Sequence, residues 1–294
     1  MFSQTDAEFL ERLKYLETGA GKLFIVVPSS ASYFSELVSQ SYPGRVVNSL
    51  SRALDLCSSG RGDTVLMLPG DHTEGSPADG ANSALMDKDA VTLMGFGPHR
   101  TTYTADDSLN SIAINADGCT VSGLRIDCDH AANGGLYVTG ADGLLVENCW
   151  FIETTPFGYG IHFDLEGTET VANVMIRGCR FVDNVNGILV DTEDTAKIVG
   201  MTIEDCEFHH AATAAISDLG STGSACLDIL IKGCSFLDNA KIFDFDVFAN
   251  QGMITQCIFD VAANTALLIG DVDDETHFIA NYTLVGLSIA QPVT

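Results

Sequence analysis

The chain has 294 residues and carries 40 Asp and Glu against 14 Lys and Arg, for a formal net charge of −26. Such an acidic surface repels phosphate backbones and anionic lipid headgroups, which argues against nucleic acid and membranes as partners. Hydrophobic residues make up 46% of the chain and only 7 residues are proline, so the composition predicts a large folded core rather than disorder.

Residues 1–62 are predicted to form an N-terminal segment with a helical cap, and residues 63–294 a solenoid. Thr5–Glu8 has the pattern of a capping box ahead of apolar residues at helical spacing. A second helix is predicted to begin after Asn48 or Ser49. Because an open solenoid end exposes an unpaired strand edge, we expect one helix to cover it. The apolar residues of this second helix are Leu50, Ala53, Leu54 and Cys57.

From residue 93 onward, a six-residue motif recurs every 23 to 30 residues: aliphatic, any, Gly/Asn/Asp/Gln, Cys or apolar, any, Phe or Ile. A period in this range indicates a solenoid, and the alternation predicts two short strands. The mid-motif Gly, Asn or Asp predicts a bend with positive φ between them. Further strands such as Gly160–Phe163 separate the motifs. The prediction is an all-β, right-handed parallel β-helix of about eight coils, with about 27 residues per coil and coils ~4.8 Å apart.

The fourth and sixth motif positions are predicted to face the core. A free Cys packs as a small hydrophobic residue, and Phe rings on successive coils are expected to stack. Side chains that point the same way on stacked strands are poorly placed for disulfides or for a convergent metal site. The two predicted core columns are Cys149, Cys179, Cys206, Cys234 and Cys257, and Phe151, Phe181, Phe208, Phe236 and Phe259.

The alternate motif positions are predicted to face outward. Trp150, Ile258 and Val285 occupy such positions, and an apolar tail that includes Leu287 and Ile289 closes the chain. Apolar side chains on an outer face favour an interface, so these five residues are the predicted contacts with a partner or ligand. Outward charged residues are predicted to pair between adjacent coils: Arg125, Arg177 and Arg180 with Glu147, Glu204 or Glu207.

Asp164, Asp191 and Asp218 follow the intervening strand on three successive coils, 27 residues apart. If they stack ~5 Å apart, their separation matches the 5–5.5 Å or so between the carboxyls of retaining glycosidases. A cation site for Ca2+ is a second interpretation, and capping of turn N–H groups a third. The residues that flank this column are Tyr159, His162 and Glu166, and His209 with His210 forms a further metal candidate.

The opening of the solenoid resembles that of pectate-lyase-like β-helix proteins. Ser49–Leu54 matches an S-x-x-x-A helix, and Gly62–Val65 with Leu68–Glu74 matches G-D-x-[IV]-x-[LV]-x-P-G-x-[YH]-x-E. The later coils are similar to V-T-I-x-N-C-x-F, the chain is strongly acidic, and its first residues do not have the basic and apolar pattern of a signal peptide. With these features the chain resembles virion-associated β-helix proteins of tailed bacteriophages over residues 48–290. This resemblance implies a tail spike, a fibre or a capsid decoration protein, often trimeric.

The function predicted from this resemblance is a non-enzymatic structural protein that decorates or cements a phage capsid. We expect a homo-oligomer, with a trimer favoured, that binds the major capsid protein or other virion proteins and is assembled into virions in the host cytoplasm. The motifs N-T-D, D-D, G-H-G and R-I-K of polygalacturonase-like hydrolases do not occur as a set. The alternative is a glycan-degrading or glycan-binding β-helix, such as a tail spike, polysaccharide lyase or glycoside hydrolase. No cofactor is expected, apart from the Ca2+ alternative.

Overall fold

A computed structural model describes residues 21–28, 42–75, 82–106, 110–127, 134–152, 158–218, 226–245, 252–260, 276–279, 281–283 and 288–289. Within these residues, the chain passes repeatedly through three long sheets, which we name A, B and C, and each strand pairs with the equivalent strand one coil away. Every described strand pair is parallel except that between Asn281–Thr283 and Ser288–Ile289. The architecture is therefore a parallel β-helix.

Sheet A has eleven strands, in the order Val46–Val47, Leu23–Val26, Thr64–Met67, Thr92–Met94, Thr120–Ser122, Leu145–Glu147, Met175–Arg177, Thr202–Glu204, Ile229–Lys232, Gly252–Thr255 and Thr276–Ile279. Sheet B has ten, which are Gly70–Gly75, Thr101–Asp106, Arg125–Asp127, Trp150–Ile152, Arg180–Val182, Glu207–His209, Ser235–Leu237, Ile258–Phe259, Asn281–Thr283 and Ser288–Ile289.

Sheet C has seven strands, which are Asn82–Met86, Asn110–Ile114, Gly134–Val138, Tyr159–Leu165, Asn186–Thr192, Ala214–Asp218 and Phe243–Phe245. A short sheet D has three, which are Thr170–Ala172, Lys197–Val199 and Cys226–Leu227. The described part of the chain thus contains seven coils with a strand in each long sheet, against about eight predicted from the motif spacing.

The bend between sheets A and B has the predicted left-handed backbone. From Gly123 to Gln256 its mid-motif residues have φ between 50° and 66°, as in Asn148 and Gly178, whereas Gly95 of the first motif does not have a positive φ. The Asn148 N–H donates to the Arg177 carbonyl at 3.0 Å, and the Gly178 N–H donates to that of Glu204 at 2.9 Å. These bonds tie each corner to the next coil, so the requirement for Gly, Asn, Asp or Gln at this position has a structural cause.

The interior contains the two predicted columns. All five motif cysteines and all five motif phenylalanines are buried, at 2% exposure or less. The rings of Phe181 and Phe208 are 4.7 Å apart and tilted by 4°, and those of Phe151 and Phe181 are 5.0 Å apart. The Cys179 thiol lies 3.7 Å from the Val146 carbonyl oxygen of the preceding coil. Burial raises the pKa of the Cys179 thiol well above its usual value, so the column consists of neutral packing groups.

The second predicted helix is present as Leu50–Asp55. The Ser49 hydroxyl accepts a hydrogen bond from the Arg52 N–H at 3.2 Å, and the Glu74 carboxylate accepts from the first N–H groups of the helix. Leu50, Ala53 and Leu54 join the main core. The helix predicted after Thr5–Glu8 lies outside the described residues. None of the helices in the described ranges is long and apolar enough to cross a membrane.

Sheet A begins earlier than the predicted boundary at residue 62. Strand Leu23–Val26 pairs in parallel with Thr64–Met67, and Val46–Val47 pairs with its other edge. These strands extend the solenoid's own sheet because their apolar side chains continue the aliphatic rows of the sheet A strands. The N-terminal segment is thus partly a continuation of the β-helix as well as a cap.

The outward positions carry two of the predicted ion pairs, those of Arg177 and Arg180, whereas no ion pair of Arg125 is found within the described residues. Arg177 lies 2.6 Å from Glu147 of the preceding coil, and Arg180 lies 3.5 Å from Glu207 of the following one. Glu204 instead pairs with Lys232 at 2.7 Å.

The predicted interface residues differ in their surroundings. The ring of half-buried Trp150 lies 4.1 Å from that of His99, and the Arg180 guanidinium lies 5.5 Å from its centre. Ile258 is 42% exposed. Ile289 belongs to the antiparallel strand Ser288–Ile289. Val285 and Leu287 lie outside the described residues, and the interface role of all five remains a prediction.

Candidate functional site

Two long strands of sheet C position the candidate site. Tyr159–Leu165 and Asn186–Thr192 have seven residues each, the greatest length of any described strand. Alternation along each strand points side chains such as Phe163 and Val190 into the core, where both are buried. The register aligns Asp164 with Asp191, so their side chains lie next to each other on the outer face. The predicted stacking of these two residues is confirmed.

Asp218 does not belong to this column, and its predicted place there was wrong. It aligns with Val190, in the inward row, and its side chain is fully buried. The connection between sheets B and C has three residues before Asn186–Thr192 but four before Ala214–Asp218. Because side chains alternate with a period of two, that one extra residue turns Asp218 to the other face. Its predicted role beside the other two aspartates is therefore not supported by the geometry.

Three side chains converge on the outer face of sheet C, and we name His162, Asp164 and Asp191 the sheet C cluster. One potential ligand atom from each of the three lies within 4.8 Å of the other two. His162 is 7% exposed, whereas both carboxylates are half-buried. The His162 ring lies between two tyrosines, 5.4 Å from the ring of Tyr137 and 5.1 Å from that of Tyr159.

The electrostatics of the cluster follow from this crowding. Burial raises the pKa of the Asp191 carboxyl above its usual value, nearby His162 opposes the rise, and the charge of Asp164 adds to it. The Tyr137 hydroxyl donates a hydrogen bond to Oδ2 of Asp164. Burial and then this hydrogen bond raise the pKa of the Tyr137 hydroxyl, which therefore stays protonated as a donor. Two carboxylates held this close favour a bound cation or a shared proton.

Tyr137 is the participant that sequence reasoning missed. It lies on strand Gly134–Val138, one coil before His162, and its register partner is His162 itself. The motif spacing gives a usable clue, since Tyr137 is 27 residues before Asp164. Tyr159 and His162 were named as flanking residues and do line the cluster. Glu166, also named, is exposed and lies beyond the end of its strand.

The donor set of the cluster differs from that of a calcium site. Ca2+ takes six to eight oxygen ligands or so, whereas the cluster offers one imidazole nitrogen and two carboxylates. No other group of three His, Cys, Asp or Glu side chains converges in this way within the described ranges. The calcium alternative thus finds no matching oxygen set at this cluster.

At the second metal candidate, around His210, the side chains do not converge on a single point. Nδ1 of His210 lies 3.2 Å from Asp183 and Nε2 lies 3.2 Å from Asp238, so the carboxylates contact different nitrogens of the ring. His209 contacts Glu207 at 2.5 Å instead. The side chains of His210, Asp183 and Asp238 are all more than half exposed. This corner is an exposed bridge between three coils.

Comparison with known proteins supports the fold. Residues 100–222 match a family model described as "Right handed beta helix region". No curated protein matches the sequence. Among solved structures, a pectin methylesterase from Aspergillus niger is 15% identical with a TM-score of 0.55, and the match covers 94% of this chain and 92% of that one.

Two lyases have a similar structure. A rhamnogalacturonan lyase is 11% identical with a TM-score of 0.61, covering 90% of this chain and 74% of that one. An alginate lyase from Paenibacillus sp. str. FPU-7 is 11% identical with a TM-score of 0.58, covering 89% and 87%. At these identities the likeness establishes the fold and not the activity. The chain has a right-handed parallel β-helix fold, as its sequence predicted, and it shares that fold with the pectin methylesterase and the two lyases.

Proposed function

We propose that the chain is a glycan-active protein that binds a glycan along the outer face of sheet C and cleaves it at the sheet C cluster. The observation that carries this proposal is the convergence of His162, Asp164 and Asp191 beside two tyrosines. Carboxylate and imidazole groups hold metals and transfer protons in hydrolysis, and tyrosine rings stack on sugars while their hydroxyls bind sugar oxygens. The likeness in fold to glycan-active enzymes supports the same function class.

The charge of the chain favours a neutral glycan. A net charge of −26 repels polyuronates such as pectin and alginate at long range. A lyase acting on uronates also needs positive charge to stabilise the carboxylate of its substrate, and the chain has only 14 Lys and Arg. Hydrolysis of a neutral polysaccharide is therefore the proposed reaction class.

The test is a panel of neutral and acidic polysaccharides incubated with the full chain, with new reducing ends and unsaturated products measured separately. We expect reducing ends from a neutral glycan, and a loss of about 100-fold or more in Asp164→Asn and Asp191→Asn. Asp183→Asn, at the exposed His210 corner, is the matched control and retains turnover. Turnover that survives both site variants, or no turnover on any glycan, contradicts the proposal.

A structural role in a phage particle is the second proposal, and the exposed apolar side chains of one coil favour it. Met253 on sheet A is 40% exposed and Ile258 on sheet B is 42% exposed, on either side of the same corner. Such residues suit contacts in a homo-oligomer or with a virion protein such as the major capsid protein. A tail spike would combine this role with glycan cleavage.

Two measurements test the structural role. Sedimentation of the wild type is expected to show a discrete oligomer, and Met253→Ser with Ile258→Ser is expected to dissociate it. Peptide mass spectrometry of purified phage particles is expected to detect the chain at a defined copy number. A monomer that is absent from particles contradicts this second proposal and leaves the glycan proposal standing.

A further inference from the structure

We propose that His162, Asp164 and Asp191 bind one zinc-class divalent ion, with a coordination position left open for water or a glycan oxygen. The metal site is argued from the geometry of the sheet C cluster, and its part in cleavage rests on the proposed function. An imidazole nitrogen with two carboxylate oxygens is a donor set suited to Zn2+ and similar ions.

The separations within the cluster are close to those that a metal requires. Ligand atoms about 2.1 Å from a tetrahedral ion lie about 3.4 Å apart, whereas those of the cluster lie within 4.8 Å of one another. The Asp164 and Asp191 backbones are paired in direct register on adjacent coils, which holds the two carboxylates side by side. The strands therefore place the ligands before any ion binds.

The surroundings orient two of the three ligands. The Tyr137 hydroxyl donates to Oδ2 of Asp164, which leaves Oδ1 for a metal. The centres of the Tyr137 and Tyr159 rings lie 5.4 Å and 5.1 Å from the centre of the His162 imidazole, and this packing restricts the orientation of the imidazole plane. Partners of this kind hold the metal-binding side chains in place in metalloproteins. They are the support expected of a metal site, in which a dication also neutralises two neighbouring carboxylates.

Zinc fits the cluster better than calcium does. Catalytic zinc sites use three protein ligands and keep a fourth position open, which agrees with the three side chains present. Both carboxylates are half-buried rather than enclosed, which leaves part of each residue exposed to solvent. Calcium is disfavoured because an imidazole nitrogen replaces one of its oxygen ligands.

The His210 corner supplies a matched control with the same residue types. His210 contacts Asp183 and Asp238 through opposite ring nitrogens, each at 3.2 Å, so no single point is close to all three ligands. A negative surface that collects cations without a specific site will respond equally to changes at either cluster. A specific site will respond only to changes at the sheet C cluster.

The experiment is calorimetric titration of the EDTA-treated full chain with ZnCl2, MnCl2 and CaCl2 at physiological ionic strength, with bound metal counted by elemental analysis. We expect one zinc ion per chain and weaker calcium binding. His162→Gln and Asp191→Asn are expected to weaken zinc binding more than about 100-fold. Tyr137→Phe is expected to weaken it by about 10-fold, because it removes a hydrogen bond that orients a metal ligand. His210→Gln is expected to change it less than about twofold.

Thermal unfolding of each variant identifies any that fails to fold, and Asp191→Asn serves if buried His162 cannot be replaced. The inference is overturned if zinc does not bind, if calcium binds as tightly, or if His210→Gln weakens binding as much as His162→Gln. Zinc binding without cleavage of any glycan supports the metal site and contradicts only the proposed function. Glycan cleavage that persists unchanged in EDTA contradicts the metal's part in it.

Discussion

The interior of the solenoid repeats from coil to coil, whereas the outer face of sheet C does not. Inside, Cys and Phe recur at the same motif positions over five coils, and the Phe rings stack 4.7 to 5.3 Å apart. Outside, Asp164 and Asp191 are adjacent, but on the next coil Asp218 aligns with inward Val190 and not with Asp191. A repeated side chain indicates packing, because each coil presents the same surface to the next.

A local break in that repetition marks residues that are candidates for a functional site. The sheet C cluster draws on two neighbouring strands, and its combination of one histidine and two aspartates occurs at no other group of converging side chains within the described residues. Charges placed side by side do not help folding, so residues kept in this arrangement are candidates for function. The comparison separates two kinds of substitution: those in the interior should change stability, and those in the cluster should change activity or binding.

The largest expected effect is loss of a ring from the interior stack. Phe181 is 1% exposed and lies between the rings of Phe151 and Phe208, at 5.0 and 4.7 Å. Phe181→Ala is expected to lower the free energy of unfolding by about 3–5 kcal/mol, because it opens a cavity. Chemical denaturation measures this, with Val182→Ala on the outer face of the same strand as control. A loss below about 1 kcal/mol contradicts the packing account.

The next effect concerns the cysteine column. Burial raises the pKa of the Cys179 thiol well above its usual value, and Cys149, Cys206, Cys234 and Cys257 are buried as well. Since the thiolate is the reactive form, alkylation in the folded chain is expected to be at least about 100-fold slower than in denaturant. Peptide-resolved mass spectrometry after timed alkylation tests this. Rapid labelling of Cys179 in the folded chain is the contrary result.

The smallest expected effect is a gain in the free energy of unfolding rather than a loss. Like charges on neighbouring strand positions destabilise by about 0.2–1 kcal/mol, so Asp191→Asn is expected to raise the unfolding free energy of the metal-free chain by that amount. Glu147→Gln, which removes the 2.6 Å ion pair with Arg177, is expected to lower it by less than about 1 kcal/mol. Denaturation of both variants in EDTA compares them. A clear loss of stability in Asp191→Asn would indicate a structural role.

Much of the fold is predictable because the motif carries it. The fourth-position cysteines and sixth-position phenylalanines identify the core, and the third-position Gly, Asn, Asp or Gln identifies a corner with positive φ. The ion pairs Arg177–Glu147 and Arg180–Glu207 follow from the same alignment. The extension of sheet A by Leu23–Val26 was not predicted, because those residues lack the complete motif.

The candidate site was only partly predictable. Equal spacing in sequence placed Asp164 beside Asp191, but the same spacing misplaced Asp218. Spacing in sequence includes the residues of the connections between strands. Because connections differ in length from coil to coil, equal spacing does not ensure that two residues are partners in the strand register. The additional residue ahead of Ala214–Asp218 lies in the connection from sheet B, where the sequence has no motif to mark it.

The sequence by itself determined the repeating coil, the identity of its core and the corner between sheets A and B, because these depend on side-chain type at a fixed period. Only the tertiary structure decided that Tyr137, His162, Asp164 and Asp191 meet and that Asp218 turns inward. That outcome depends on register between strands one coil apart, and a shift of one residue exchanges the inner and outer faces of a strand.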